Sequence, residues 1–209
     1  MNSHAKPPRC ELSALEVSGN RIFFGSDKDI PGESNSALLY FEGSPKALAG
    51  EPSAFVDSTV VRDTHKFEAF AKLHGTTILL ATTGFDRIKE GKQWDGYNTV
   101  LAWDATNPSN VQRLNPSTRD GVSSSLPIRQ LIKDALVSDA FPEGPHYFKV
   151  EALAVLSDRS ILFGLRETGH RYDNFNYHRT ILQGSLTGSF PNLKVEGPLT
   201  TAFDFEPTA

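Results

Sequence analysis

The chain has 209 residues and a formal net charge of −4, with 38% hydrophobic and 22% charged residues. That composition suits one packed domain and excludes a disordered chain. A pI near 5.9 gives no electrostatic footprint for phosphate backbones, so nucleic acid is not an expected partner.

The single cysteine, Cys10, has no internal disulfide partner, so nothing here calls for an oxidising compartment. The opening "MNSHAKPPRC" lacks the apolar core of a signal peptide. No apolar run approaches the roughly 20 residues that span a bilayer. The expectation is a cytoplasmic protein without membrane contact, or a secreted one if a signal was removed.

The first predicted hairpin is "ELSALEVSGNRIFFGSD", residues 11–27, turning at Ser18–Asn20. A third strand, "ALLYFE" (37–42), and a fourth, "AFVDSTVV" (54–61), follow. The pattern then begins again. "KFEAFAKLHGTTILLATTG", residues 66–84, is a hairpin with its turn at His74–Gly75, followed by "NTVLAWD" (98–104) and "VQRL" (111–114). Within residues 125–141, Ile128, Leu131, Ile132, Ala135 and Leu136 keep the spacing of an amphipathic helix. Ser125 is placed to cap it and Pro127 suits its first turn. This helix reads as an insertion covering one side or edge of a sheet.

A third hairpin follows at "KVEALAVLSDRSILFGLRETG", residues 149–169, turning at Ser157–Asp158. "RTILQGSL" (179–186) and "LKVEG" (193–197) complete that unit, and "LTTAFDF" (199–205) reads as the first strand of another. The repeat units are thus about 11–61, 66–114 and 149–197 in a single domain spanning 1–209. Leu12, Phe67 and Val150 share one aligned position, and Ala14, Ala69 and Ala152 another. Repeated antiparallel units of three or four strands predict an all-β, β-propeller-like array of blades with one inserted amphipathic helix. The competing reading is a sandwich or barrel whose hairpins merely look alike.

The alignment also places Ser13, Glu68 and Glu151 in one column of the first strands. In a propeller those strands line the central channel, so the column predicts an oxygen-rich ring suited to a hard cation such as Ca²⁺. The alternative is that each glutamate accepts backbone hydrogen bonds or pairs with an arginine of the next blade. A second polar set follows each second strand: Ser26 and Asp27; Thr83, Asp86 and Arg87; Arg166, Glu167 and His170. Asp27, Arg87, Arg166 and His170 are the expected contacts of a small anionic ligand on that rim, since arginine binds carboxylate and phosphate well.

Other motifs fail. "DKDIPGESNSAL" carries Asp27, Asp29 and Gly32 at calcium-loop spacing, but Pro31 and Leu38 stand at positions that need other residues. No nucleophile elbow, zinc-protease helix, phosphate loop or dinucleotide fingerprint is present. "HRYDNFNYHR", residues 170–179, interleaves aromatics with basic groups and reads as a loop packed on its own scaffold, or as a surface that stacks on a base or sugar.

The segments "ELSALEV", "FEAFAK" and "VEALAVLSDRSILFGLR" together resemble the bacterial family known as domain of unknown function 3616, across roughly residues 11–186. That resemblance implies a propeller-like fold and no activity. More distantly the pattern is similar to the esterase-like phytases and the calcium-dependent apyrases, propellers with acidic inner strands and a central calcium. Ser13, Glu68 and Glu151 match such inner-strand ligands, whereas the catalytic aspartates of those enzymes have no counterpart. The expected function is a non-enzymatic binding module, holding a cation in its channel and an anionic ligand at its rim. The alternative is a metal-dependent phosphoesterase. An edge at one end is expected to be covered, either by a second copy or a partner chain that completes the ring or by the 125–141 helix with the C-terminal strand.

Overall fold

The computed structural model describes residues 11–28, 30, 37–43, 54–56, 58–86, 88–89, 92–93 and 95–205. In chain order the elements are β1 (Leu12–Ser18), β2 (Arg21–Ser26), β3 (Leu38–Glu42), β4 (Ala54–Phe55), α1 (Thr59–Arg62), β5 (Phe67–Lys72) and β6 (Ile78–Thr83). Then come β7 (Ile88–Lys89), β8 (Lys92–Gln93), β9 (Val100–Asp104), β10 (Asn107–Arg113), β11 (Ser117–Arg119) and β12 (Val122–Ser124). The rest are α2 (Leu126–Ala135), β13 (Tyr147–Val155), β14 (Ser160–Arg171), β15 (Asn174–Thr187) and β16 (Lys194–Asp204).

The protein is a mostly antiparallel all-β structure. Three four-stranded sheets carry it: β1-β2-β3-β4, then β5-β6-β9-β10, then β13-β14-β15-β16. In each, neighbouring strands follow in chain order, and the first strand lies at one edge. Those first strands are adjacent in space, β1 against β5 and β5 against β13. The ribbons β7-β8 and β11-β12 are insertions. The second ribbon turns through Asp120 and Gly121, both at positive φ, the backbone that a two-residue hairpin turn needs.

Two cores separate the three sheets. Phe23, Leu38, Phe67, Phe70, Leu79, Ala81, Leu101 and Trp103 fill the space between the first and second. Leu80, Val100, Ala102, Phe148, Val150, Phe163, Leu165 and Leu182 fill that between the second and third. Alternate residues of β6 and β9 therefore face opposite cores, and that is why "ILLATT" is buried throughout. Each fully buried large side chain here contributes roughly 1.5–3 kcal/mol. Gly25 permits the close approach of the first sheet, since a Cβ there would lie 2.8 Å from Phe67 Cβ and from Phe70 Cζ.

Polar side chains stitch the sheets as well. Gln112 exchanges two hydrogen bonds with the backbone of Leu193, at 2.7 and 3.1 Å, and Asn115 does the same with Val195, both at 2.8 Å. Both amides reproduce the pairing a neighbouring strand would make. Helix α2 buries Ile128 and Ile132 in the second core and packs on β16, with Leu131 over Gly197.

Several expectations are corrected. The helix ends at Ala135, short of residue 141. Ser125 stands at the N-cap but makes no side-chain capping bond: its hydroxyl donates to Leu114 O at 2.6 Å and accepts from Val100 N at 3.1 Å. Residues 59–62, read as strand, form the short helix α1, which turns Val61 into the first core. Residues 199–204 do not open another unit but prolong β16. "HRYDNFNYHR" is no loop: it is the end of the β14-β15 hairpin. Among the described residues no helix is long and apolar enough to cross a membrane.

Candidate functional site: a charge network at three bulges

Ser13, Glu68 and Glu151 share one geometric peculiarity. In β1 the pairing steps from Leu12↔Ser26 to Ala14↔Gly25, in β5 from Phe67↔Thr83 to Ala69↔Thr82, and in β13 from Val150↔Leu165 to Ala152↔Gly164. Each time one residue is passed over, and it is the residue of the aligned polar column. Each first strand thus carries a bulge at the same place. A bulge re-aims its extra side chain away from the pleat, which answers how a carboxylate fits in a strand covered by apolar neighbours.

Glu68 and Glu151 turn toward a shared cation. Lys149 Nζ stands 3.3 Å from Glu68 Oε1 and also bonds Glu151 Oε1. Arg166 continues the chain, with Nη1 3.0 Å from Glu151 Oε1 and Nη2 2.5 Å from Glu167 Oε1. The Tyr147 hydroxyl donates to the other oxygen of Glu167. At the opposite end Lys66 Nζ lies 3.5 Å from Glu68 Oε1 and 4.0 Å from Asp27 Oδ1, and bonds Asp86 Oδ2. Lys28 Nζ, 3.4 Å from Asp27 Oδ2 and 3.6 Å from Glu11 Oε2, extends the chain, so six carboxylates and four basic groups from all three sheets form one alternating network. Every basic group in it faces two or three carboxylates.

Local backbone holds these groups. Lys66 and Phe85 both adopt left-handed φ, 64° and 54°, which non-glycine residues take at a cost of about 1–3 kcal/mol. The first aims the Lys66 side chain and the second the neighbouring Asp86. Gly84 lies beneath, where a Cβ would come within 3.2 Å of Asp86 Oδ1 and 3.3 Å of Glu68 Oε1. Arg129, on α2, fixes the loops around the site. It donates to Phe85 O, to Asn98 Oδ1 at 2.8 Å and to His146 O at 2.8 Å, and its guanidinium lies 4.3 Å above the Phe148 ring.

The environment shifts several titrations. Burial, reinforced by Glu151 and Asp27, raises the Glu68 carboxyl above its ordinary value against the pull of Lys149 and Lys66. For Lys149, burial acts to lower the ammonium but is outweighed by Glu151 and Glu68, so the net shift is upward. Burial, with Glu167 as acceptor, raises the Tyr147 phenol and keeps it a donor. Burial pushes the Arg129 guanidinium down to about 10, with Asp86 opposing.

The expected site residues divide. Asp27, Glu68, Glu151 and Arg166 belong to this single network, so the expected channel and rim merge. Ser13 stays outside it, its hydroxyl donating to the backbone oxygen of Phe67. His170 is exposed and lies edge-on to Phe141 at 5.2 Å, apart from the network. Arg87 lies outside the described residues. The guanidinium of Arg166 is engaged by two carboxylates, which leaves it poorly disposed toward an anion.

A calcium ring of Ser13, Glu68 and Glu151 does not fit this arrangement. The Lys149 ammonium sits between the two glutamates, and the serine hydroxyl is turned to backbone. Among the described residues no group of three or more His, Cys, Asp or Glu stands ready to hold a metal ion.

Sequence reasoning passed over Lys66 and Lys149. The recurrence was visible, since the repeats read "KFEA" and "KVEA", but Lys66 stands before β5 at left-handed φ and both glutamates sit on bulges, so strand alternation does not by itself bring lysine and glutamate together. In the first unit the same columns hold Glu11 and Ser13, so the lysine is exchanged for an acid. Comparison with family models and with curated proteins finds no match.

Proposed function

We propose that this chain is a propeller-like, non-enzymatic binding module whose ligand meets the charge network at its solvent-facing side, by Glu151 and Arg166. In this reading the three meander sheets are blades and their bulged first strands line the central axis. The excess of carboxylates over basic groups carries the proposal: it favours a ligand with a positive charge, such as an amine or guanidinium, over an anion. At the Lys149 end of the network, Glu151 and Arg166 are accessible, with side chains 29% and 46% exposed. Each carboxylate of the network is paired with a basic group, an arrangement suited to holding charge, and this favours binding over phosphoester hydrolysis.

Titration calorimetry with spermidine and with inorganic phosphate as probes tests this. Spermidine is expected to bind and to be weakened by Glu151→Gln, at moderate salt as well as low. Phosphate binding without spermidine binding reverses the charge preference, and silence with both probes removes the site.

Three blades fall short of the roughly four to eight that close a propeller. The same reading therefore has a second copy of the chain complete the ring.

A further inference from the structure

The three sheets meet by one repeated rule. The alanine after each bulge lies on the face turned to the following sheet: Ala14 in the core shared with the second sheet, Ala69 against the core shared with the third. Phe67 and Phe70 of β5, and the aligned Val150 and Leu153 of β13, lie on the face turned to the preceding sheet and fill those same cores. The first contact shows how the halves fit. Ala14, Gly25 and Leu38 stand opposite one another across β1, β2 and β3. That shallow row receives Phe67 and Phe70, each only 2.8 Å from where a Cβ on Gly25 would stand.

Both halves of this contact occur once more, exposed. Across β13, β14, β15 and β16 the row Ala152, Gly164, Ile181 and Phe203 repeats the alanine–glycine–aliphatic order on the outer face of the third sheet. Ala152 and Phe203 are exposed there. The first sheet holds the matching half. Leu12 and Leu15, aligned with Phe67 and Phe70, are 51% and 56% exposed. Leu15 stands opposite Phe24, and Phe24 opposite Leu39, so this outer face is apolar across three strands. Contiguous exposed apolar surface marks a site of protein contact.

We propose that the outer face of the first sheet docks on the outer face of the third sheet of a second copy, with Leu12 and Leu15 seated on the partner's Ala152 and the partner's Gly164. The reverse contact then closes a two-fold ring. Each contact joins two different surfaces, and two of them related by one axis make a closed dimer. A second copy is the occupant because the chain already makes this contact twice between its own sheets. The docking rests on the propeller-like reading above and is independent of what binds the charge network.

Analytical ultracentrifugation of the full chain as wild type, Leu15→Glu and Ala152→Arg tests it. The wild type is expected to be a dimer at micromolar concentration. Each variant is expected to be a monomer, because it places an unpaired charge in the contact. An equimolar mixture of the two is expected to dimerise again, with one native contact and one that pairs the new charges. Both positions are exposed, so the monomers are expected to keep the wild-type far-UV circular dichroism. Where a charged variant does not fold, Leu15→Thr is expected to raise the dimer dissociation constant about tenfold, and an unchanged constant overturns the proposal. A dimer that survives both charged substitutions overturns these surfaces while leaving a second copy as the partner. A dimer lost with Leu15→Glu but kept with Ala152→Arg also overturns them, since the first sheet would then pack on its own copy. A wild-type monomer at every concentration overturns the contact and the closed ring together, and leaves the spermidine titration to decide the ligand.

Discussion

Lys149 Nζ, 3.3 Å from Glu68 Oε1, ties the first strand of the third sheet to the first strand of the second. Both side chains are close to nine-tenths buried, so little water screens the pair. Lys149→Met and Glu68→Gln are therefore expected to be strongly non-additive. A double-mutant cycle by denaturant unfolding should give a coupling of about 1–3 kcal/mol. Additive effects would show that the contact contributes nothing of its own.

Glu68 also gives the protein a pH dependence of known sign. Burial first, then Glu151 and Asp27, holds its carboxyl above the ordinary value of 4.5. The folded state thus keeps a proton at a pH where the unfolded chain has released it. The stability from this group is complete below the ordinary value and is lost as pH rises through the raised one. Denaturant melts across the weakly acidic range should show a decline with rising pH in the wild type that Glu68→Gln lacks. Identical profiles for the two proteins would contradict the assignment.

Arg129→Lys is expected to lower stability by about 2–4 kcal/mol, because an ammonium cannot reach Phe85 O, Asn98 and His146 together, and unpaired buried acceptors cost about 1–3 kcal/mol each. Equilibrium unfolding in urea measures this. A loss below about 1 kcal/mol would mean that the fork geometry is dispensable.

Gly25→Val probes the first core. Its branched side chain would press into Phe67 and Phe70, where even a Cβ lies 2.8 Å from both. Overpacking of this kind costs roughly 1–3 kcal/mol. Near-UV circular dichroism should also change, since Phe70 stacks edge-on against the buried Trp103 at 5.5 Å. An unperturbed spectrum with unchanged stability would show that the two sheets are not held this closely.

The strands and α2 were legible because alternation, turn residues and helical spacing are local properties of the chain. The turns at Gly19 and Gly75, both at positive φ, are of this kind. α1 was not legible: Thr59, Val60 and Val61 favour strand locally, and the packing of Val61 into a core overrides that preference. The end of β16 was misread because Gly197–Pro198 looks like a break. β16 is an edge strand, where a proline without a donor is tolerated. The glutamates were legible as anomalies within apolar strands. Lys66 and Lys149 were not, because a lysine at a strand start is usually solvated. Their burial comes from contacts with side chains of the adjacent sheet, which no local pattern records.

Light scattering tests whether the blades close with a second copy. A dimer at micromolar concentration, giving six blades, is the expected result. A monomer at every concentration would remove the dimeric ring and leave the charge network as a property of the single chain.

The three bulges have an evolutionary consequence. A residue that the ladder passes over can be exchanged without shifting the inward and outward order of its neighbours. In β1 that residue is Ser13, exposed and bonded to the backbone of β5; in β5 it is Glu68, buried among lysines. Descendants of such a fold are free to rewrite this column, one blade at a time, and acquire a new ligand while inheriting the old core intact.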